Sequence, residues 1–152
     1  MQNETKVLRF VVPGEPVGKA RPRVCVRGGR AHAYTPAKTA NYENLIANCA
    51  KAEMIREGFE RVEKPMTVKL IVMAFFCPPK SWSQKKRKAA LQGVVHHIVK
   101  PDLDNVLKAV GDALNGVVYD DDSQIVECHI RKVYAETARI EVFVTTENEG
   151  EY

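Results

Sequence analysis

Hydrophobic and polar positions change period several times along this chain, and each change marks an element. Lys6 to Val12 is a short apolar run closed by Pro13-Gly14, the pattern of a first strand. Residues 14–35 contain Gly14, Pro16, Gly18, Pro22 and Gly28-Gly29, which predicts loop and hairpin. Thr35-Pro36 reads as the N-cap and first residue of a helix running toward Gly58, with Tyr42, Leu45, Ile46, Cys49 and Ala52 on one face. That face serves either the core or a contact between subunits. Met66 to Cys77 alternates at first, then turns wholly apolar from Ile71, as a central strand buried on both faces would. Pro78-Pro79 ends it.

In the basic segment that follows, Ser83 is a plausible cap for a short helix through Gln92. Val94–Val99 reads as extended, and Pro101 biases Lys100 away from helix. The clearest helix covers 103–115, where Leu103, Val106, Leu107, Val110 and Leu114 recur at helical spacing and Asn115-Gly116 stops them. Ile125–Ala135 and Arg139–Thr146 predict a hairpin. In its second strand Ile140, Val142 and Val144 alternate with Arg139, Glu141 and Phe143, leaving one aromatic on the polar side. In its first strand the phase shifts near Arg131-Lys132, which suggests a bulge. The acidic tail, residues 147–152, is expected to fray. No internal repeat or low-complexity segment divides the chain, so residues 1–152 are expected to form one domain.

Composition agrees with one globular domain: 152 residues, 45% apolar and 28% charged, are enough for a hydrophobic core. No apolar stretch approaches the roughly 20 residues of a membrane span, and the polar N-terminus lacks a signal-peptide core, so a cytoplasmic location is the expectation. Cys25, Cys49, Cys77 and Cys128 form no CxxC pair and are expected to be structural. The histidines, of which only His96-His97 cluster, are expected on the surface or in strands. The net charge of +4 is modest, but its distribution is informative. Lys19, Arg21, Arg23, Arg27 and Arg30 crowd one region and Lys85, Lys86, Arg87 and Lys88 another, and such basic flanks around an acidic centre suit an enzyme that grips phosphates, although Lys85–Lys88 fit a solvated helix face equally well.

Against them stands an acidic cluster at 102–122. On the helix, Asp104, Lys108 and Asp112 are spaced i, i+4, i+8, with Asn115 on the same side. As N-cap, Asp102 would leave the helical path, so that its carboxylate converges with that of Asp104 over the positive end of the helix. Asp120-Asp121-Asp122 follows one turn later. Convergent carboxylates repel one another, and magnesium, which prefers oxygen ligands and keeps several waters, relieves that repulsion. Such a metal polarises a phosphate and generates hydroxide from bound water, while Lys108 steers a carboxylate or stabilises charge on phosphate oxygens. Each acid also has an ordinary reading: an N-cap, a dipole complement, an i, i+4 surface pair, a solvated turn. Their coincidence in one short stretch favours the metal site. An EF-hand loop, a nucleotide-sugar site, a Walker loop and a dinucleotide fingerprint are excluded or unsupported.

Two stretches resemble the RusA family of Holliday junction resolvases. One is Lys100-Pro-Asp-Leu-Asp-Asn-Val-Leu-Lys108 with Asp112-Ala-Leu-Asn115 and Asp121-Asp122-Ser-Gln124-Ile125. The other is Pro16-Val-Gly-Lys19-Ala-Arg21-Pro22-Arg23, followed by Tyr34-Thr35-Pro36. The resemblance implies a small α+β fold, a mixed sheet packed by helices, assembled as a homodimer with two active sites that nick symmetric strands of a four-way DNA junction. It implies Asp102, Asp104 and Asp122 as the essential, magnesium-binding carboxylates, a needed lysine at Lys108, and supporting places for Asn105 and Asp121, the latter to orient a ligand or water. In its light Lys19, Arg21, Arg23 and Arg27, on a glycine-rich hairpin, are expected to contact backbone phosphates. The family implies a bacterial or phage-infected cell as the setting. Pro101, where some members carry a basic residue, leaves the cleavage-sequence preference open. Two other classes stay open: a non-catalytic branched-DNA-binding module and a less specific magnesium-dependent nuclease.

Overall fold

The computed structural model describes residues 5–148. In chain order these form β1 (Val7–Pro13), β2 (Arg23–Arg27), β3 (Arg30–Tyr34), α1 (Ala37–Glu57), β4 (Thr67–Phe76), α2 (Gln84–Leu91), α3 (Leu103–Leu114), a 3-10 turn at Asp122–Gln124, β5 (Ile125–Tyr134) and β6 (Arg139–Glu147). The fold is α+β. Four strands make one mixed sheet in the order β1-β6-β4-β5, and β2-β3 stands apart as a two-stranded ribbon.

The expected hairpin of the last two strands does not form. β4 lies between them, antiparallel to β6 and parallel to β5. The apolar run of β4 earns it the central place, whereas β5 carries exposed Glu127, His129 and Arg131 and takes an edge. Residues 135–138 cross the end of β4, with the Ala135 amide still donating to Phe76 O at 2.8 Å. The irregularity in β5 lies at its start, where Val68 pairs with Ile125 but Lys69 with Glu127, so Val126 is the extra residue. There is no shift at Arg131-Lys132. Lys132 faces inward and its ammonium donates to Val99 O and Pro101 O.

One sheet face is covered. Leu8, Phe10, Val12, Val68, Leu70, Val72, Ile140, Val142 and Val144 are fully or almost fully buried there, against Ile46 and Ala50 of α1 and Val106, Ala109, Val110 and Leu114 of α3. The other face is half-buried rather than dry, which corrects the expectation that β4 is enclosed on both sides. Aromatic rings there are roofed by arginines. Arg139 stacks over Phe75 at 4.0 Å and Arg9 over Phe143 at 5.7 Å, which accounts for the aromatic among polar positions in β6.

α1 begins at Ala37, one residue later than expected. Pro36 keeps an extended ψ of 142° and acts as the cap residue, its carbonyl accepting from the Ala40 amide. The core side of α1 is Thr39, Tyr42, Ile46 and Ala50, whereas Leu45 and Ala52 are exposed. Gly58, at φ 65°, ends the helix in the left-handed conformation that glycine adopts without a Cβ clash. Ser83 caps α2 as expected, accepting from the Lys86 amide at 3.2 Å. The predicted exposure of Leu103 to the core fails, since that side chain is 39% exposed at the first turn of α3. Glu147 belongs to β6, and residues 149–152 of the acidic tail lie outside the described residues. The cysteines carry free thiols, and Cys128 is exposed. No helix among the described residues is long and apolar enough to cross a membrane.

The segment 93–101 is irregular rather than extended, and His97 secures it. Its ring stacks on Phe76 at 3.8 Å and meets Tyr134 edge-on at 5.4 Å, so this histidine belongs to the core, not to the surface. Burial, with the nearby Lys132 charge, pushes its pKa below the ordinary 6.5. The neutral ring is therefore the native form. Its contribution to stability is complete above 6.5 and is lost as pH falls from there through the lowered folded-state value. Thermal unfolding followed from about pH 7.5 down to about pH 5 should show falling stability, and His97→Phe should flatten that part of the profile.

Candidate active site

α3 presents the acidic motif because its two faces differ. Val106, Ala109, Val110, Ala113 and Leu114 are buried, which turns Asp104 and Lys108 outward. Asp102 is the N-cap residue, with extended φ −68° and ψ 148°, yet its side chain makes no capping hydrogen bond. Asp102, Asp104 and Asn105 line a cleft of about 840 Å³ that is also lined by Lys19, Arg21, Arg23, Lys38 and Lys100.

Past α3 the chain folds back along the helix. Gly116 takes φ 75°, its amide donates to Tyr119 O at 2.9 Å, and the buried Tyr119 hydroxyl donates to Gly111 O at 2.8 Å. Burial raises the Tyr119 pKa, with the charges of Asp122, Asp112 and Asp121 adding to it, so the phenol stays a donor. This return places Asp122 with Asp104, Lys108, Asp112 and Cys128 around a pocket of about 230 Å³. Asp104 borders both spaces. The structure thus brings Asp102 to Asp104 in the cleft, and Asp104 to Lys108 and Asp122 in the pocket. Among the described residues, no three His, Cys, Asp or Glu side chains are grouped closely enough to hold a metal ion by themselves.

The six aspartates of this region divide sharply by partner. Asp120 accepts from the Lys64 amide at 3.2 Å and pairs with Arg61 at 3.1 Å. Asp121 caps the 3-10 turn: its carboxylate accepts from the Ser123 amide and hydroxyl, while its own amide donates to Gln124 Oε1 at 2.9 Å. The Ser123 hydroxyl also holds the Asp121 carboxyl below the usual carboxylate range. Gln124, buried, ties that turn to Val62 O and Met66 O. Asp112 pairs with both Lys108 and Lys19 at 3.2 Å. The carboxylates of Asp102, Asp104 and Asp122 make no hydrogen bond or ion pair with any described residue, and all three residues are exposed. Unpartnered oxygens of this kind remain available to a hard cation.

The basic residues separate too. Arg21 and Arg23 border the cleft, and Arg27 reaches the far end of the exposed β2–β3 ribbon, paired in register with Arg30. Lys19 departs from the phosphate-contact expectation. It precedes the ribbon, is only 19% exposed, and its ammonium lies 2.5 Å from Glu43 and 3.2 Å from Asp112. Burial disfavours the Lys19 charge, but the bonds and attraction from Glu43 and Asp112 outweigh it and raise the pKa. Glu43 escaped the sequence reading because one glutamate on a polar helix face carries no spacing signal. In α2, Lys86 stands 3.9 Å from the Trp82 ring, a cation-π contact at the surface.

Residues 13–145 match the family model described as Endodeoxyribonuclease RusA. A protein of Bacillus subtilis (strain 168) named "Uncharacterized protein YqaN" is 38% identical over 142 residues, covering 90% of this chain and 94% of its own. A Lactococcus phage r1t protein named "Crossover junction endodeoxyribonuclease rusA" is 32% identical over 121 residues, covering 77% of this chain and 79% of its own.

Within the matched span, Gly18 makes the tightest approach to the acidic motif. A methyl group there would lie 2.9 Å from Pro101 Cβ and 3.1 Å from Asn105 Cβ, too close for either neighbour to keep its place. The Lys19 amide, donating to Asn105 O at 2.8 Å, fixes this approach. Gly18→Ala should therefore destabilise the protein by about 1–3 kcal/mol, the usual result of overpacking, as read by chemical denaturation.

Proposed function

The chain belongs to the RusA endodeoxyribonuclease family and is a nuclease, and from that premise we propose that it resolves four-way (Holliday) junctions by paired, symmetric, magnesium-dependent nicks, in DNA recombination and repair. One observation supports this reading above the others. Asp102, Asp104 and Asp122 are the aspartates of the motif whose carboxylates have no partner among the described residues, and they are the three that the family resemblance makes essential.

Asp102, Asp104 and Asp122 would hold the magnesium ion, which supplies Lewis-acid polarisation of the scissile phosphate and a lowered pKa for water. Two or three exposed carboxylates, completed by substrate phosphate oxygens, suit a cation that resists full dehydration better than a closed protein cage would. Lys108, on the pocket shared with Asp104 and Asp122, offers positive charge where the leaving oxygen and the non-bridging oxygens become more negative. Asp121 acts through its cap, holding the backbone that presents Asp122, and Asn105 acts through its carbonyl bond to the Lys19 amide.

Arg21 and Arg23 on the cleft wall, with Arg27 on the ribbon, would take the phosphates of the strand entering the cleft. Contacts of this kind give affinity and register without reading bases, so junction recognition would rest on shape and binding would weaken steeply with salt. Paired nicking needs two active sites in fixed relation, which a homodimer provides.

Asp102→Asn, Asp104→Asn and Asp122→Asn should each lower junction cleavage by at least about 100-fold, the scale of losing one preorganised charge at a transition state, while leaving junction binding in place. Gel assays of cleavage with magnesium, beside binding without it, check this. Any of the three variants cutting at the wild-type rate sinks the assignment, and equal cutting of linear duplex sinks junction specificity. Sedimentation should show a dimer; a strict monomer contradicts paired nicking.

A further inference from the structure

Lys19 is attached to α3 at two levels. Its amide donates to Asn105 O at 2.8 Å, and its ammonium reaches Asp112 at 3.2 Å, two helical turns further on. A third bond anchors it to α1, through Glu43 at 2.5 Å. The next residue is tied as well, since the Ala20 amide donates to the buried Thr39 hydroxyl on α1 at 3.2 Å. The segment from which the β2–β3 ribbon springs is therefore fastened to both helices. The ribbon beyond it is exposed along almost its whole length and, among the described residues, its two strands pair only with each other.

Asp112 shares this arrangement with the acidic pocket. One oxygen faces Lys19 and the other accepts from Lys108 at 3.2 Å. Two carboxylates and two ammoniums thus alternate in the order Glu43, Lys19, Asp112, Lys108. Their charges cancel, so Asp112 is occupied and does not add a third open carboxylate to the pocket beside Asp104 and Asp122. The Lys108 side chain, 60% exposed, would otherwise sample many rotamers, and among the described residues its ammonium bonds to Asp112 alone.

We propose that Lys19, anchored by Glu43, is a positioning residue for strand cleavage: it holds Asp112, and through it Lys108, in register with Asp104 and Asp122, and joins the root of the arginine ribbon to the catalytic helix. The inference rests on the reading of Asp102, Asp104, Asp122 and Lys108 as the active site. Its consequence differs from that of a phosphate contact. Losing a positioning residue slows the chemical step on bound DNA, whereas losing a phosphate contact weakens binding and lowers its salt dependence.

The test compares Lys19→Met, Lys19→Arg and Glu43→Gln with wild type. It measures single-turnover cleavage of a four-way junction at saturating protein with magnesium, and junction binding without metal over a series of salt concentrations. Lys19→Met and Glu43→Gln should slow cleavage about 10- to 100-fold, the effect of misplacing a group by up to an ångström. Junction affinity and its salt slope should stay at wild-type values. Lys19→Arg, which keeps the charge, should recover part of the rate. Thermal melts identify any variant that fails to fold; if Lys19→Met does, Glu43→Gln carries the same comparison. Asp104→Asn runs alongside: if it cuts normally, the active-site reading itself is at fault. With Asp104→Asn inactive, three results overturn the positioning role. These are unchanged cleavage in both neutral variants, a Lys19→Arg rate no better than that of Lys19→Met, or weakened binding whose salt slope falls by about 0.9 while the saturated rate holds.

Discussion

Two strands running the same way cannot be joined by a tight turn, and the parallel pairing of β4 with β5 sets this constraint on the whole molecule. The chain that returns from the end of β4 to the start of β5 must travel the length of the sheet. It does so through α2, the irregular segment held by His97, and α3. All three unpartnered aspartates lie on that crossover. Asp102 and Asp104 stand where α3 begins, and Asp122 where the chain turns into β5. Pocket and cleft are thus consequences of a strand order, with Asp104 at their junction.

Within this frame, partner bonds sort carboxylates of the same residue type into different roles. Asp120 fastens the turn to Arg61 and Lys64, Asp121 caps it, and Asp112 balances two lysines. Each gains a donor, and so each is removed from competition for a cation. The carboxylates of the remaining three have no donor among the described residues and are exposed, where holding several negative charges together is tolerable until a divalent ion and a phosphate arrive. The basic residues are sorted in the same way. Arg21, Arg23 and Arg27 face outward, while Lys19 is turned inward to two carboxylates.

Much of the element pattern was legible in the residues because it depends on local rules. Helix α3 followed from its apolar spacing, α2 from Ser83, the ribbon from Gly28-Gly29, and β1 and β4 from their apolar runs. The pairing of β5 and β6 was misread because two alternating runs joined by a short connection look like a hairpin, and no local signal states that a third strand will enter between them. His97 is expected at the surface, and Lys132 at a bulge, for a related reason. A histidine looks superficial, and a lysine on the apolar phase of a strand looks like a break in the pattern, until an aromatic pair and two carbonyls are supplied from elsewhere.

The sequence by itself determined the acidic motif and its helical phasing, since i, i+4 spacing and the N-cap position of Asp102 need nothing beyond the helix. It also determined the family, through the mixed residue run from Lys100 to Lys108 and its basic companion. Only the tertiary structure decided which aspartates stay open, that Asp121 is a cap, and that Lys19 serves α3 through Glu43 and Asp112 rather than facing solvent. The physical reason is that a side chain's partners are set by long-range contacts. Glu43 and Lys19 are separated by 24 positions, and the Lys64 amide and Asp120 by 56. Periodicity carries no information across such gaps.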